Sequence, residues 1–150
     1  MKLYSVQGLS ASGTGPKTAF NLIGAATVRP GIRRLNIGFR TNPNSTDQQI
    51  RVNVGNTTAV GTAGSAATPK ALDPSDPIAA QCTAGITHSA EPTAGTNWID
   101  TDLNQRATKE WIFDPGQELM GAATASNGIS AVMVLVTAAI VMSAPVVFVE

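Results

Sequence analysis

The chain has 150 residues, the size of one domain that can bury a hydrophobic core without disulfides or metals. Hydrophobic residues make up 43% of it and charged residues only 13%, against roughly 25% charged residues in an average soluble domain. This composition excludes a disordered chain and a solvent-exposed helical bundle, and it predicts that much of the surface meets another protein.

The formal net charge is zero, but the charges are unevenly distributed along the chain. Residues 1–54 contain seven Lys or Arg and one Asp, while residues 55–150 contain three Lys or Arg and nine Asp or Glu. Such asymmetry is typical of a nucleic-acid-binding arm or of complementary contacts between subunits. In a β-sandwich the two halves interleave, so the asymmetry need not become a surface patch. No signal peptide is recognisable after Met1, which predicts a cytoplasmic origin.

Strand patterns recur through the first third of the chain. Apolar residues alternate with polar ones in two of these segments, as expected for half-buried strands. Four strands are predicted here, over 3–6, 19–28, 34–40 and 50–54. The alternation places Arg34, Arg40 and Arg51 on faces that point away from the core.

Between residues 55 and 97 the periodicity disappears and no aromatic residue occurs. This pattern predicts a long central loop, and long irregular stretches inside a domain tend to be functional. One short helix is predicted within it, with Asp76 as the cap, Pro77 at the first position and 78–82 as its turn. Strand patterns return over 97–102, 108–113 and 119–124.

The segment 129–149 contains no charged residue, and it is long enough for a transmembrane helix. Two β-strands are the better interpretation, because Val and Ile dominate and no Lys or Arg flanks the segment. We expect breaks at 137–139 and at 143–145. Both faces of 131–136 and 146–149 are apolar, so the outer face must meet a neighbouring subunit or a loop of the same chain. We expect an oligomer.

The pattern as a whole predicts a single all-β domain over 1–150, with eight to ten short strands in a sandwich or barrel. Catalysis is poorly supported, since His88 is the only histidine and no nucleophile elbow surrounds it; we expect an exposed loop residue. The glycine-rich run that ends at Lys70 lacks the Gly-Lys-Ser/Thr ending of a phosphate loop. No enzyme, catalytic residue or cofactor site is predicted.

Two carboxylate pairs, Asp73/Asp76 and Asp100/Asp102, are better explained as turn initiators and as a solvated strand face than as a metal site. Cys82 is the only cysteine, which excludes an intramolecular disulfide, and it is best explained as a buried apolar residue. Trp98, Trp111 and Phe113 are expected to anchor a core or an interface. Neutral net charge and a single tyrosine argue against nucleic acid as a partner.

Two segments carry a resemblance to a known family: the run from Gly61 to Ala80 and the ending Phe148-Val149-Glu150. They resemble small jelly-roll head proteins of tailed bacteriophages. The resemblance implies a jelly-roll β-sandwich that serves as a non-enzymatic capsid decoration, or cement, protein. Such a protein lies on the outside of the virion head as a trimer or dimer and bridges neighbouring major capsid protein subunits, with no membrane partner.

Ten residues are candidates for protein contacts under this interpretation: Arg34, Arg40, Arg51, Thr68, Pro69, Leu72, Trp98, Val134, Val136 and Phe148. Three alternatives stay open. One is a carbohydrate- or receptor-binding sandwich of a virion, another is a nucleic-acid-binding head protein, and the third is a secreted or membrane β-protein.

Overall fold

A computed structural model describes residues 2–40, 47–75 and 78–150. These residues form strands and no helix, which confirms the all-β prediction. The strands, in chain order, are β1 (Leu3–Leu9), β2 (Lys17–Ile23), β3 (Gly31–Phe39), β4 (Gln49–Ala59), β5 (Ser65–Ala67), β6 (Lys70–Ala71), β7 (Thr83–Ile86), β8 (Thr93–Asn104), β9 (Lys109–Ile112), β10 (Leu119–Met120), β11 (Gly128–Leu135) and β12 (Met142–Val149).

The strands form two antiparallel sheets. Sheet 1 has the order β10-β3-β12-β1-β6, and β9 also pairs with β3. Sheet 2 has the order β5-β7-β2-β11-β4-β8. The first strand pairs with the last, β1 with β12, in sheet 1, and β2 pairs with β11 in sheet 2.

The core lies between the two sheets and is built by the inward half of each alternating strand. In β1, Tyr4 and Val6 are buried while their neighbours are more exposed. The ring of Tyr4 stacks on Phe148 with centroids 5.6 Å apart. Large aliphatic side chains from both sheets complete this cluster, among them Leu22, Ile32, Leu35, Ile37, Ile50, Ile129 and Met133.

The apolar segment 129–149 forms two strands, β11 and β12, as predicted. The break at 137–139 lies between them, but the predicted break at 143–145 is wrong because β12 runs through it. Pro145 fits inside this central strand because the β12–β3 ladder has no pairing between Ser143 and Val146, so no hydrogen bond is lost there. Within the described ranges, we find no helix long and apolar enough to cross a bilayer.

The predicted long loop over 55–97 is largely wrong. Strand β4 continues to Ala59, β8 begins at Thr93, and three short strands lie between them. Strand β5 pairs with β7 in sheet 2, whereas β6 pairs with β1 in sheet 1. The chain therefore crosses from one sheet to the other at Thr68 and Pro69. Strands of two to four residues are too short for a periodicity to reveal them.

The predicted short helix is also wrong where the structure describes it: residues 78–82 are not helical, and Asp76 and Pro77 lie outside the described residues. Tertiary partners occupy the backbone groups that a helix would use. The Tyr4 hydroxyl donates to the Ile78 carbonyl at 3.2 Å. The Glu150 carboxylate accepts the backbone N–H groups of Gln81 and Cys82, at 2.9 and 3.0 Å.

Other strand boundaries differ from the prediction. The strand predicted over 19–28 ends at Ile23, and Ala25 and Val28 then hydrogen-bond to each other in a tight turn. Strand β8 is longer than the predicted 97–102, whereas β10 is much shorter than 119–124.

Candidate binding surfaces

The outward side of sheet 1, here called the open face, consists of small, polar and apolar side chains in cross-strand register. One row, built from paired positions on five strands, is Lys70, Ser5, Val147, Arg34 and Ile112. A second row begins with Gln7 opposite Pro145 and continues with Asn36 opposite Glu110. The open face therefore spans β6, β1, β12, β3 and β9.

Two concavities of about 280 and about 440 Å³ lie on the open face and share Ser5 and Gln7. The first extends to Arg34 and Asn36, and the second extends to Thr68 and Lys70. The two concavities adjoin at these shared residues and are together called the groove of the open face.

The groove carries little uncompensated charge. Arg34 Nε donates to Glu110 Oε1 at 2.6 Å. Lys70 lies at the other end and has no ion-pair partner among the described residues. A mostly uncharged centre with charges at its margins is the usual composition of a protein–protein contact.

The outward side of sheet 2 is partly covered by the chain between β4 and β8. The Val60 carbonyl accepts a hydrogen bond from Asn21 Nδ2 at 3.2 Å, and Glu91 accepts one from the Thr18 N–H at 2.8 Å. As a result Val132 and Val134, on the outward side of β11, are half-buried. The same chain covers much of the apolar face for which a neighbouring subunit was the favoured explanation.

A partly open pocket lies on sheet 2 and is here called the asparagine pocket. Its volume is about 200 Å³. The base contains Ser130, Val132 and Val134 of β11, and the remaining lining includes Pro16, Pro92, Asn53, Asn56 and Asn97.

Five ion pairs among the described residues each join a residue before position 55 to one after it: Lys17–Glu91, Arg33–Glu118, Arg34–Glu110, Arg51–Asp100 and Arg106–Asp47. These ion pairs join the two halves of the chain, which agrees with the expectation that the charge asymmetry along the sequence need not become a surface patch. The Arg51 guanidinium lowers the pKa of Asp100, chiefly through its hydrogen bonds, and Arg106 does the same to the pKa of Asp47.

Eight of the ten candidate contact residues are exposed or half-buried, and the other two are buried. Arg34, Arg40 and Arg51 are exposed, as the alternation predicted. Thr68, Leu72 and Trp98 are exposed as well, while Pro69 and Val134 are half-buried. Only Arg34 and Thr68 line the groove of the open face; Arg51 lies on sheet 2 beside Asp100.

Val136 and Phe148 were wrong as contact candidates. Phe148 is fully buried and Val136 is 6% exposed, because both point inward between the sheets. Sequence alternation could not decide this, since both faces of their segments are apolar and only the pairing with neighbouring strands fixes which face is inside.

A set of three exposed apolar residues at the edge of sheet 1, here called the edge patch, was not predicted as a unit. It contains Leu3, Leu72 and Ile78, which are 41%, 49% and 56% exposed. The Leu72 N–H donates to the Leu3 carbonyl at 3.0 Å, and Ile78 is held by the hydroxyl of Tyr4. Leu72 alone was a candidate, because nothing local in the sequence brings residue 3 beside residues 72 and 78.

His88 is 2% exposed, so the expectation of an exposed loop residue was wrong. Burial lowers the pKa of His88, and the nearby Glu91 carboxylate partly opposes that effect. Cys82 is buried as predicted, and burial together with a contact to Glu150 raises the pKa of its thiol to about 12.

The structure describes three of the four carboxylates in the two predicted pairs. Asp73 Oδ1 accepts the Ser75 N–H at 2.9 Å in a turn, as predicted, whereas Asp76 lies outside the described residues. Asp100 and Asp102 are exposed on β8. Within 2–40, 47–75 and 78–150, no three His, Cys, Asp or Glu side chains converge as metal ligands would. No protein-family model, curated protein or solved structure matches this chain.

Proposed function

We propose that this protein is a structural virion protein that binds the outer surface of a phage head and cements neighbouring major capsid subunits. The open face carries the proposal, because it extends over five strands, its Arg34 is paired with Glu110, and the described part of the chain leaves it uncovered. Its groove joins Arg34 on β3 to Thr68 at the sheet crossing, two residues 34 positions apart in the sequence. The resemblance of the central run and of the ending to phage head proteins supports the same function.

We propose further that the sandwich is a jelly roll. The strand order supports this topology once the short strands β5, β6, β7 and β10 are set aside. The eight remaining strands pair first with last, second with seventh, third with sixth and fourth with fifth. That order results when one long antiparallel hairpin is rolled into two four-stranded sheets, which is the jelly-roll arrangement.

A homo-oligomer on the head is part of the proposal. The edge patch is the surface that suits contacts between copies, since its three aliphatic side chains are exposed and hydrogen bonds bring residues 72 and 78 to the β1 edge of sheet 1. Binding at symmetry-related positions would add the contacts of each copy to the affinity of the oligomer.

Cosedimentation with phage heads tests the capsid function. We expect saturable binding to expanded heads stripped of this protein, and no binding to unexpanded procapsids or free DNA. Gln7→Arg places a bulky cation in the groove of the open face, and we expect it to weaken head binding by about tenfold or more. Gln49→Arg is the matched control, because Gln49 is equally exposed on β4 of the other sheet.

Absence of saturable binding to expanded heads by the folded protein would refute the capsid function. Equal losses in Gln7→Arg and Gln49→Arg would leave the function standing but exclude the open face as the contact surface. Circular dichroism of both variants establishes that they are folded before they are compared.

A further inference from the structure

We propose that the asparagine pocket binds one sugar unit of a neutral glycan. This site lies on sheet 2, on the opposite side of the sandwich from the open face, so it is independent of capsid binding. Three properties of the pocket lead to this ligand class: its size and apolar base, its free hydrogen-bonding groups and its lack of free charge.

The size and the base suit a single ring. The volume of about 200 Å³ is below the ~300–1,000 Å³ of sites for drug-sized ligands, so the pocket takes one ring-sized group. Val132 and Val134 form an apolar surface against which the C–H face of a pyranose can pack. Pro16 and Pro92 add rigid apolar walls.

The rim offers hydrogen-bonding groups that the protein does not use. The Asn56 amide oxygen accepts the Thr96 N–H, which leaves its NH₂ group free to donate. The Ser130 hydroxyl lines the pocket and makes no hydrogen bond with the described residues. The Asn56 amide and the Ser130 hydroxyl are therefore available to hydrogen-bond a ligand in the pocket.

A hydrogen-bonded chain orients the remaining asparagines. Arg51 Nε donates to Asp100 Oδ1 at 2.8 Å. In the amide orientation that satisfies its neighbours, Asn53 donates to the same Asp100 oxygen at 2.9 Å and accepts from Asn97 Nδ2 at 2.9 Å. The oxygen of Asn97 is then left as a fixed acceptor. Donors and acceptors held in place beside an apolar base match the hydroxyl groups and C–H faces of a sugar.

The absence of free charge in the pocket selects a neutral ligand. Glu91 is the only ionisable residue in the lining, and its carboxylate already binds the Thr18 N–H at 2.8 Å and Lys17 Nζ at 3.5 Å. An acidic sugar would meet this carboxylate with its own negative charge, and like charges in close contact disfavour binding.

Methyl-detected NMR titration tests the site directly. The methyl glycosides of glucose, galactose, mannose and N-acetylglucosamine are each added to labelled protein, with sodium glucuronate as the charged comparison. We expect at least one neutral glycoside to shift the methyl signals of Val132 and Val134 in a saturable manner, with millimolar affinity.

Asn97→Ala removes a rim acceptor at an exposed position, and we expect it to weaken the binding by about fivefold or more. Asn36→Ala, the same exchange on the open face, should leave binding unchanged. Val134→Phe fills the pocket and should abolish binding. The proposal is overturned if no neutral glycoside gives saturable shifts, if glucuronate alone binds, or if Asn97→Ala and Val134→Phe bind as the unmodified protein does.

Discussion

The only histidine of the chain, His88, follows β7 in the sequence and is nearly buried, and its imidazole Nδ1 has no hydrogen-bond partner among the described residues. Burial lowers the pKa of His88, because the charged form loses its hydration. Glu91 and the backbone of Thr18 oppose this effect without cancelling it. In the folded protein the imidazole is therefore held neutral at a pH where the unfolded chain already binds a proton.

We predict that the free energy of unfolding decreases as the pH falls below about 6.5, the unperturbed pKa of histidine. The folded-state pKa is lowered, so below that pH the unfolded chain binds more protons and gains stability relative to the native state. The loss continues until the pH falls below the folded-state pKa. Urea unfolding at several pH values between about 7.5 and 5.5 measures it.

His88→Gln provides the control, because it removes the titrating group while keeping a polar side chain of similar size. Between these pH values, the free energy of unfolding should depend less steeply on pH in the variant than in the unmodified protein. The pKa values of Asp47, Asp100 and Glu118 are lowered, so these groups change the free energy of unfolding only at more acidic pH. They therefore do not affect the comparison of the two proteins. If the free energy of unfolding of His88→Gln depends on pH as steeply as that of the unmodified protein, His88 is not the group responsible.

At the scale of elements, the pairing of β4 with β8 contains three register shifts between Val54 and Ala59. The backbone of β8 approaches Gly55 closely at the first shift. A Cβ atom on Gly55 would lie 2.2 Å from the Thr96 carbonyl oxygen and 2.8 Å from the Asn97 Cα. The close approach requires glycine at this position, and it shapes the rim of the asparagine pocket.

We predict that Gly55→Ala lowers the free energy of unfolding by about 1–3 kcal/mol, since backbone atoms must move to admit the methyl group. Gly15→Ala is the matched control, because an added Cβ there meets nothing within 4 Å. We expect that variant to remain within about 0.5 kcal/mol of the unmodified protein. Chemical denaturation of both variants measures the difference, and equal stabilities would refute the role of Gly55.

The segment that contains β5 and β6 is also part of the packed fold. The side chains of Ala67 and Ala71 pack against the core, and the two short strands extend the edges of both sheets. Removing residues 61–80 would uncover Tyr4 and Cys82, which are each 1% exposed. Single substitutions such as those above are therefore better tests of binding than deletion of the segment.

For the whole molecule, self-association through the edge patch is the prediction that follows from the proposed capsid function. We expect the protein to be a dimer or trimer by size-exclusion chromatography with light scattering. Leu72→Lys should convert it to a monomer, because a charge in the centre of the patch would lose its hydration in the interface. Ile112→Lys, at the opposite edge of sheet 1, should keep the oligomer.

A monomeric unmodified protein at tens of micromolar, or equal behaviour of Leu72→Lys and Ile112→Lys, would contradict this use of the edge patch. Head binding measured on the same variants separates the two roles, since Leu72 does not line the groove of the open face.

The sequence predicted the long strands well where one face is polar. In 34–40 and 50–54, alternation identified both the strand and the outward direction of Arg34, Arg40 and Arg51. It predicted that 129–149 forms strands, but it could not tell which apolar side chains of this segment point inside, and the contact candidates Val136 and Phe148 were wrong for that reason. It missed β5, β6 and β7, because segments of two to four residues contain less than two periods of a strand pattern.

The candidate sites were predictable only in part. Arg34 and Thr68 were named from the sequence, but Ser5, Gln7 and Pro145 join them only through the pairing of β1 with β12 and β6. The asparagine pocket had no local signal at all. Its three asparagines are ordinary polar residues in the sequence, and they become a site when β4, β8 and β11 lie side by side.

By itself, the sequence determined the β class, the positions of the long strands and the outward direction of their charged residues, because each of these depends on neighbours two positions apart. The tertiary structure alone decided which strands pair, which apolar faces are buried and which polar side chains meet. Contacts such as that of Ser10 with Met142 join residues 132 positions apart, and no local pattern encodes a partner at that distance.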